Sequence, residues 1–244
     1  MEREQQGKVA LVLGGSRGIG AAIVERLAAE GAQVAFTYAT SPENAETLRA
    51  AIEAKGGEAV ALQADSADAD QIKAAVDQTL ARFGRLDILV VNAGILRRGT
   101  IDQVQLETFD RMVAINIRGV FAALHHAAPH ISDGGRIVTI GSNIAVRVGF
   151  AGSSTYAMTK AAVAALVKGA AIDLAPRAIT VNNVQPGPTL TDMTADHVDL
   201  VKPLIPLARM GEPREVAGLV AYLAREEAGF ITGASLTIDG GLSL

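Results

Sequence analysis

The chain predicts an α/β fold: a doubly wound parallel sheet of about seven strands with helices on both faces. Three observations carry that prediction. Short apolar runs alternate with helical periodicity through all 244 residues. The first run, Val9-Ala-Leu-Val-Leu13, is apolar at every position, as a strand buried on both faces requires. A glycine cluster then turns the chain at Gly14.

After the glycines, a helix spans 18–30 with Ile19, Ile23, Val24 and Leu27 at helical spacing, and it stops before Gly31. Gln33-Val-Ala-Phe-Thr-Tyr38 reads as the second strand. Ser41-Pro42 opens the next helix, because Ser can cap and Pro suits the first turn; that helix runs to Lys55, before Gly56-Gly57. Further strands fall near 59–63, 87–91, 136–140, 179–184 and 235–238, and helices near 68–83, 107–128, 154–175 and 213–224. No Pro/Gly/Ser-rich linker and no solenoid-like repeat interrupts the alternation, so residues 1–244 read as a single domain. The least regular stretch, 186–212, holds Pro186, Pro188, Pro203, Pro206 and Pro213. Its 189–210 portion is read as a mobile lid over the substrate.

Composition narrows the function classes. Apolar residues make up 49% and charged residues 20%, ample for a sizeable core. The net charge of −4 provides no general basic field for a nucleic acid polymer. With no Cys, a disulfide framework and thiolate metal sites are excluded. Met1-Glu-Arg-Glu-Gln-Gln6 lacks the apolar core of a signal peptide, and no apolar run approaches the roughly 18 residues of a membrane span. The expectation is a soluble, cytoplasmic protein with no membrane partner. His126 and His130 are four apart, but Pro129 intrudes and no third ligand is apparent, so no metal site is expected.

Gly14-Gly15-Ser16-Arg17-Gly18-Ile19-Gly20 lies between the first strand and the first helix. A turn without Cβ atoms lets the backbone approach a diphosphate, and the helix start offers free N–H groups. Gly14, Ser16, Arg17, Gly18, Ile19 and Gly20 are therefore candidate cofactor contacts. An NAD site usually ends strand two with a carboxylate for the ribose hydroxyls. Here that end reads Phe36-Thr37-Tyr38-Ala39-Thr40-Ser41, with no acid to repel a 2′-phosphate. Arg17 can supply a cation, and Thr37, Thr40 or Ser41 can donate hydrogen bonds. With Tyr38 and Ala39 at the same strand end, this favours NADP(H) over NAD(H). Asn92-Ala93-Gly94 closes the strand at 87–91, where small residues let the backbone pass close to an adenosine ribose.

These features, together with Asp65, Asn116 before Gly119, Ser142, Tyr156-Ala-Met-Thr-Lys160, Pro186-Gly187 and Ile238-Asp-Gly-Gly241, resemble the classical short-chain dehydrogenases/reductases over nearly the whole chain. That family has a Rossmann-like fold. Two departures stand out. Leu13 occupies the place of the Thr that commonly precedes the first glycine, and Ser142 to Tyr156 spans 14 positions where 13 is common.

Reducing a carbonyl requires a hydride on carbon and a proton on oxygen. Tyr156 and Lys160 are four apart and share one helix face, so the ammonium can lower the Tyr pKa toward neutrality. Ser142 follows a strand and can sit at the carboxyl edge of the sheet, where its hydroxyl would bond the substrate oxygen. The surrounding Ile140-Gly-Ser-Asn-Ile144 lacks the hydrolase elbow Gly-x-Ser-x-Gly. The resemblance implies further roles. Lys160 would also hold the nicotinamide ribose, Asn116 would prop the lysine through water, Asp65 would meet the adenine amino group, and Thr189 and Thr191 would bind the carboxamide after Pro186-Gly187. It also implies a homotetramer with the Tyr156 helix in an interface, where Ala161-Ala162 and Ala164-Ala165 permit close packing.

The leading expectation is thus an NADP(H)-dependent reductase of a ketone or aldehyde, reversible as an alcohol dehydrogenase, with a small-molecule carbonyl or alcohol as substrate. The alternative is a regulatory binding protein on the same fold, with a nucleotide such as cyclic di-GMP as ligand. Ile144, Val146, Val148, Phe150 and Met193 suggest a partly apolar pocket, and Arg97-Arg98 is either a solvated pair or a contact for an anionic substrate.

Overall fold

The sheet grows outward from β1 (Val9–Leu13), buried at all five positions in this computed structural model, which describes residues 4–192, 194 and 198–244. The other strands are β2 (Gln33–Tyr38), β3 (Glu58–Gln63), β4 (Leu86–Val91), β5 (Ile131–Ile140), β6 (Thr180–Pro186) and β7 (Ser235–Ile238). They form one seven-stranded sheet in the order β3-β2-β1-β4-β5-β6-β7, parallel at every pairing. The chain moves to one side of β1 for β2 and β3, then crosses to the other for β4. That reversal opens a crevice outside the carboxyl ends of the strands.

The helices are α1 (Gly18–Ala29), α2 (Pro42–Glu53), α3 (Ala69–Phe83), α4 (Leu106–Val113), α5 (Val120–Ala127), α6 (Ser154–Leu174), α7 (Val198–Val201) and α8 (Pro213–Leu223). Ile23 and Leu27 of α1, Leu48 and Ile52 of α2, and Val216 and Val220 of α8 pack on one face of the sheet. Ile72 and Val76 of α3, Val120 and Leu124 of α5, and Val163 and Val167 of α6 pack on the other. Alternate strand residues point to opposite faces, so a strand covered on both faces favours apolar residues at successive positions, which is why β1 and Ile88–Val91 of β4 carry no pattern of alternation.

Two expectations are corrected. The helix expected over 107–128 is not one continuous α-helix: Ala114–Gly119, between α4 and α5, is a π-turn. Gly119 makes it workable, since a Cβ there would strike the Ser66 carbonyl oxygen. The strand expected at 136–140 begins earlier, at Ile131, because a register shift between Leu86 and Ile88 lets Ile131 pair with Leu86. Among the described residues, no helix is long and apolar enough to cross a membrane.

Candidate active site

The glycine turn is held by side chains from two neighbouring strands. The Gly14 N–H donates to Thr37 Oγ1 at 2.8 Å, and the Gly15 N–H to the Thr37 carbonyl at 2.8 Å. Asn92 Nδ2 donates to the Gly14 carbonyl at 2.6 Å. Gly14 has φ +76, and a Cβ there would lie 2.8 Å from Ala93 Cα. Gly20 packs beneath the turn, where a Cβ would strike the Gly14 carbonyl oxygen. Leu13 is buried and braces Asn92 and Ala93 with its carbonyl, which accepts both N–H groups at 3.1 and 2.9 Å. The hydroxyl that braces this turn is therefore that of Thr37. No side chain caps the first turn of α1, and no acid lies in it. Its N–H groups and the positive end of its dipole are left for an anion.

A cavity of about 1160 Å³ opens over the carboxyl ends of the strands. Gly14, Ser16, Arg17, Gly18 and Ile19 line one end, with Thr37, Tyr38, Ala39, Asp65, Asn92, Ala93 and Gly94. Ser142, Tyr156, Lys160, Pro186, Gly187, Thr189 and Thr191 line the remainder. Gly20 and Asn116 lie outside the wall. Asp65 is already engaged: its carboxylate accepts the Ala67 N–H at 2.9 Å and pairs with Arg111 at 2.8 Å. Burial pushes the Asp65 pKa up, but these bonds outweigh it and hold the carboxyl below its usual range.

Tyr156 and Lys160 stand one turn apart on α6, as their spacing predicts, with Lys160 Nζ 5.7 Å from the Tyr156 ring centroid. Lys160 Nζ donates to the Ile140 carbonyl at 2.9 Å and is almost wholly buried. Burial lowers its pKa to about 8. Burial also raises Tyr156 to about 12, and the Ser142 hydrogen bond only partly offsets that. The expected fall in the tyrosine pKa is thus reversed, because desolvation favours the neutral form of each group. Asn116 sits in the π-turn and is buried. It accepts the Ile95 N–H at 2.9 Å, donates to the Ile95 carbonyl at 2.9 Å, and reaches Thr159 Oγ1 at 3.2 Å. Thr159 Oγ1 in turn donates to the Tyr156 carbonyl at 2.8 Å.

The apolar wall differs from the expected one. Ile144 and Phe150 line the cavity, whereas Val146 and Val148 are exposed and lie outside its lining, turned away on the loop that follows Ser142. Met193 lies outside the described residues. Ile95, Leu96, Val201, Leu204, Met210 and Leu242 also belong to the apolar lining.

Sequence reasoning missed a clasp beside Ser142. Asn143 Nδ2 donates to Asp239 at 3.2 Å and to Ser243 Oγ at 3.3 Å, while Ser243 N and Oγ donate to Asp239 at 2.9 and 2.6 Å. This brings Leu242 and Ser243 into the cavity wall. The Asp-Gly-Gly run at 239–241 is the trace such a turn leaves in the sequence, but nothing local indicates its partner, 96 positions away.

A dinucleotide-sized cavity, a glycine turn beneath an uncapped helix and a Tyr–Lys pair with the lysine buried together define a short-chain dehydrogenase/reductase, and the chain belongs to that family. The family model described as enoyl-(acyl carrier protein) reductase matches residues 14–243. The chain is similar to the cyclic-di-GMP-binding biofilm dispersal mediator protein of Escherichia coli, 46% identical over 237 residues, with 96% of each chain covered. A solved short-chain dehydrogenase/reductase from Serratia marcescens superposes with a TM-score of 0.97 at 55% identity, covering 99% of this chain and 100% of that one. A short-chain dehydrogenase from Burkholderia cenocepacia, solved in complex with NADP, gives 0.96 at 49% identity, with the same coverage. The chain is an oxidoreductase of this family.

Proposed function

We propose that the protein uses NADP(H) to reduce a ketone or aldehyde, reversibly, with Tyr156 as general acid and base. The observation that carries this reading is the partly buried Tyr156 at the wall of the cavity, which Ser142 also lines, with the buried Lys160 ammonium 5.7 Å from its ring. The uncapped start of α1 fits a diphosphate, and the acid-free end of β2 with Arg17 beside it fits a 2′-phosphate. The NADP complex of the Burkholderia relative supports the same choice. Asp65, Asn92, Ala93 and Gly94 would hold the adenosine half, and Pro186, Gly187, Thr189 and Thr191 the nicotinamide half.

NADPH, when bound, supplies the hydride. The chain's own residues do the rest. The Ser142 hydroxyl orients the substrate oxygen. Tyr156, kept protonated by burial at neutral pH, donates its proton to that oxygen. The Lys160 ammonium stabilises the tyrosinate left behind. Asn116 fixes the loop at Ile95 and, through Thr159, the start of α6; it is a positioning residue. The 189–210 segment, with Val201, Leu204 and Met210 in the wall, serves as the lid.

The test is NADPH oxidation across a panel of ketones and aldehydes. Tyr156→Phe keeps the ring and removes the acid, and turnover is expected to fall by about 10²- to 10⁴-fold. Undiminished turnover overturns the mechanism, and tighter binding of NADH than of NADPH overturns the cofactor choice. A second reading, a cyclic di-GMP-binding regulator, is favoured by the name of the Escherichia coli relative. Calorimetry with cyclic di-GMP distinguishes it: binding without turnover of any carbonyl selects the regulator.

A further inference from the structure

Two loops frame the substrate end of the cavity, and each carries an arginine. Residues 96–100 follow Gly94, and 143–153 follow Ser142; the Gly99 N–H donates to the Gly152 carbonyl at 3.0 Å and ties them together. Arg98 lays its guanidinium over the Phe150 ring, 5.7 Å from the centroid. Arg147 Nη1 donates to the Leu242 carbonyl at 3.1 Å and the Leu244 carbonyl at 2.6 Å. Arg98, Arg147, Phe150 and Leu242 all line the cavity. Apolar groups, among them Ile95, Leu96, Ile144 and Leu204, share this cavity with the two arginines and Tyr156.

These arginines differ from most others on the surface. Arg49, Arg82, Arg177 and Arg209 each hold a carboxylate. Among the described residues, no side-chain carboxylate pairs with Arg98 or Arg147: Arg98 lies on an aromatic face, and Arg147 is anchored through Nη1 alone, to the main-chain oxygens of Leu242 and of the last residue, Leu244. A guanidinium oriented in this way keeps its charge and free N–H donors, and it loses less side-chain freedom when an anion arrives. Among the described residues, the carboxylates lining the cavity are Asp65, occupied by Arg111, with Glu107 and Asp192. Five arginines and Lys160 line the same cavity, so its charge favours an anion.

We infer that the substrate of this reductase carries a carboxylate or phosphate ester, separated from its carbonyl by an apolar segment, and that Arg98 and Arg147 receive the anion at the mouth. The inference rests on the reductase reading above and names the substrate class for that site.

The experiment compares keto acids of increasing chain length with their methyl esters in NADPH oxidation. The acid is expected to exceed its ester about tenfold in kcat/KM at low salt, the discrimination two partly exposed pairs can supply. The advantage should shrink at about 1 M salt, where the Debye length falls to about 3 Å. In the double variant Arg98→Ala with Arg147→Gln, the acid-to-ester ratio should approach one, and Arg98→Lys should keep part of it. Esters reduced as well as acids by the unaltered protein, or a ratio that survives the double variant, overturns the inference and leaves the reductase standing. If neither is reduced, calorimetry of a keto acid on the NADP⁺-loaded protein decides. Binding lost in the double variant retains the anion site and removes the reductase reading, whereas equal or absent binding in both proteins removes the two together.

Discussion

Lys160 places an amine inside the protein with one main-chain carbonyl as its hydrogen-bond acceptor, and the desolvation cost shows in a pKa drawn down to about 8. The fall from the ordinary 10.5 corresponds to about 3 kcal/mol disfavouring the ammonium in the fold. At pH values below 8 the residue is charged in both folded and unfolded chains, and that cost is fully present. As pH rises from 8 to 10.5 the folded protein releases its proton first, so the cost is relieved and stability rises. Lys160→Met removes the titrating group and should be more stable than the unaltered protein at pH 7, with the gain fading by pH 10.5. Urea unfolding of the two proteins at both pH values measures this, and a gain independent of pH would refute it. The spacing of Tyr156 and Lys160 was legible because a helix fixes which side chains share a face. The direction of the tyrosine shift was not, because burial is a property of the surrounding fold. Arg147 shows the same limit: its carbonyl partners at Leu242 and Leu244 lie 95 and 97 positions away.

Elements bring these residues into register, and the π-turn at Ala114–Gly119 is the clearest case. One extra residue in the turn changes the direction in which Asn116 projects, and such turns recur at functional sites. The side chain then satisfies both main-chain groups of Ile95 at 2.9 Å. Asn116→Leu leaves those groups without their partners, at about 1–3 kcal/mol for each one that stays buried. An overall loss of about 3 kcal/mol by urea unfolding is expected, along with a fall in turnover, since the same loop leads to the cavity. A loss below about 0.5 kcal/mol would mean that water replaces the amide. At the glycine turn, Gly20→Ala would force its Cβ into the Gly14 carbonyl oxygen and within 2.6 Å of Asn92 Nδ2. The turn must then shift away from Asn92. NADPH affinity is expected to weaken at least about tenfold, a change of about 1.4 kcal/mol, when followed by fluorescence titration. The strand-turn-helix was readable from residues 9–30 alone, since all its signals are local. The π-turn was not, because periodicity over 107–128 averages across a single inserted residue.

The alternation of strands and helices implied a parallel sheet, but strand order follows from which edges pair, and only the folded chain reveals β1 beside both β2 and β4. That order sets the cavity over the carboxyl ends and leaves the outer side of α6 as surface. Val163, Val167 and Ala171 of α6 face the core, while Met158, Ala161, Ala165 and Ile172 follow one another at helical spacing on the opposite side. Met158 is 43% and Ile172 76% exposed, with the two alanines between them. A stripe of this kind, apolar at its ends and small in its middle, lets a second helix approach closely and buries area that water otherwise covers. Phe121 of α5 is likewise 54% exposed. The family resemblance implies a homotetramer, and we propose that copies of α6 would pack against one another along this stripe. Light scattering is expected to give four times the chain mass of 25.2 kDa. Ala165→Arg places a long cation in the middle of the stripe, where a close helix contact has no room for it. The variant should dissociate to smaller species and lose thermal stability in proportion to the interface it abolishes. A monomer for the unaltered protein, or an intact tetramer for Ala165→Arg, would remove α6 as the interface.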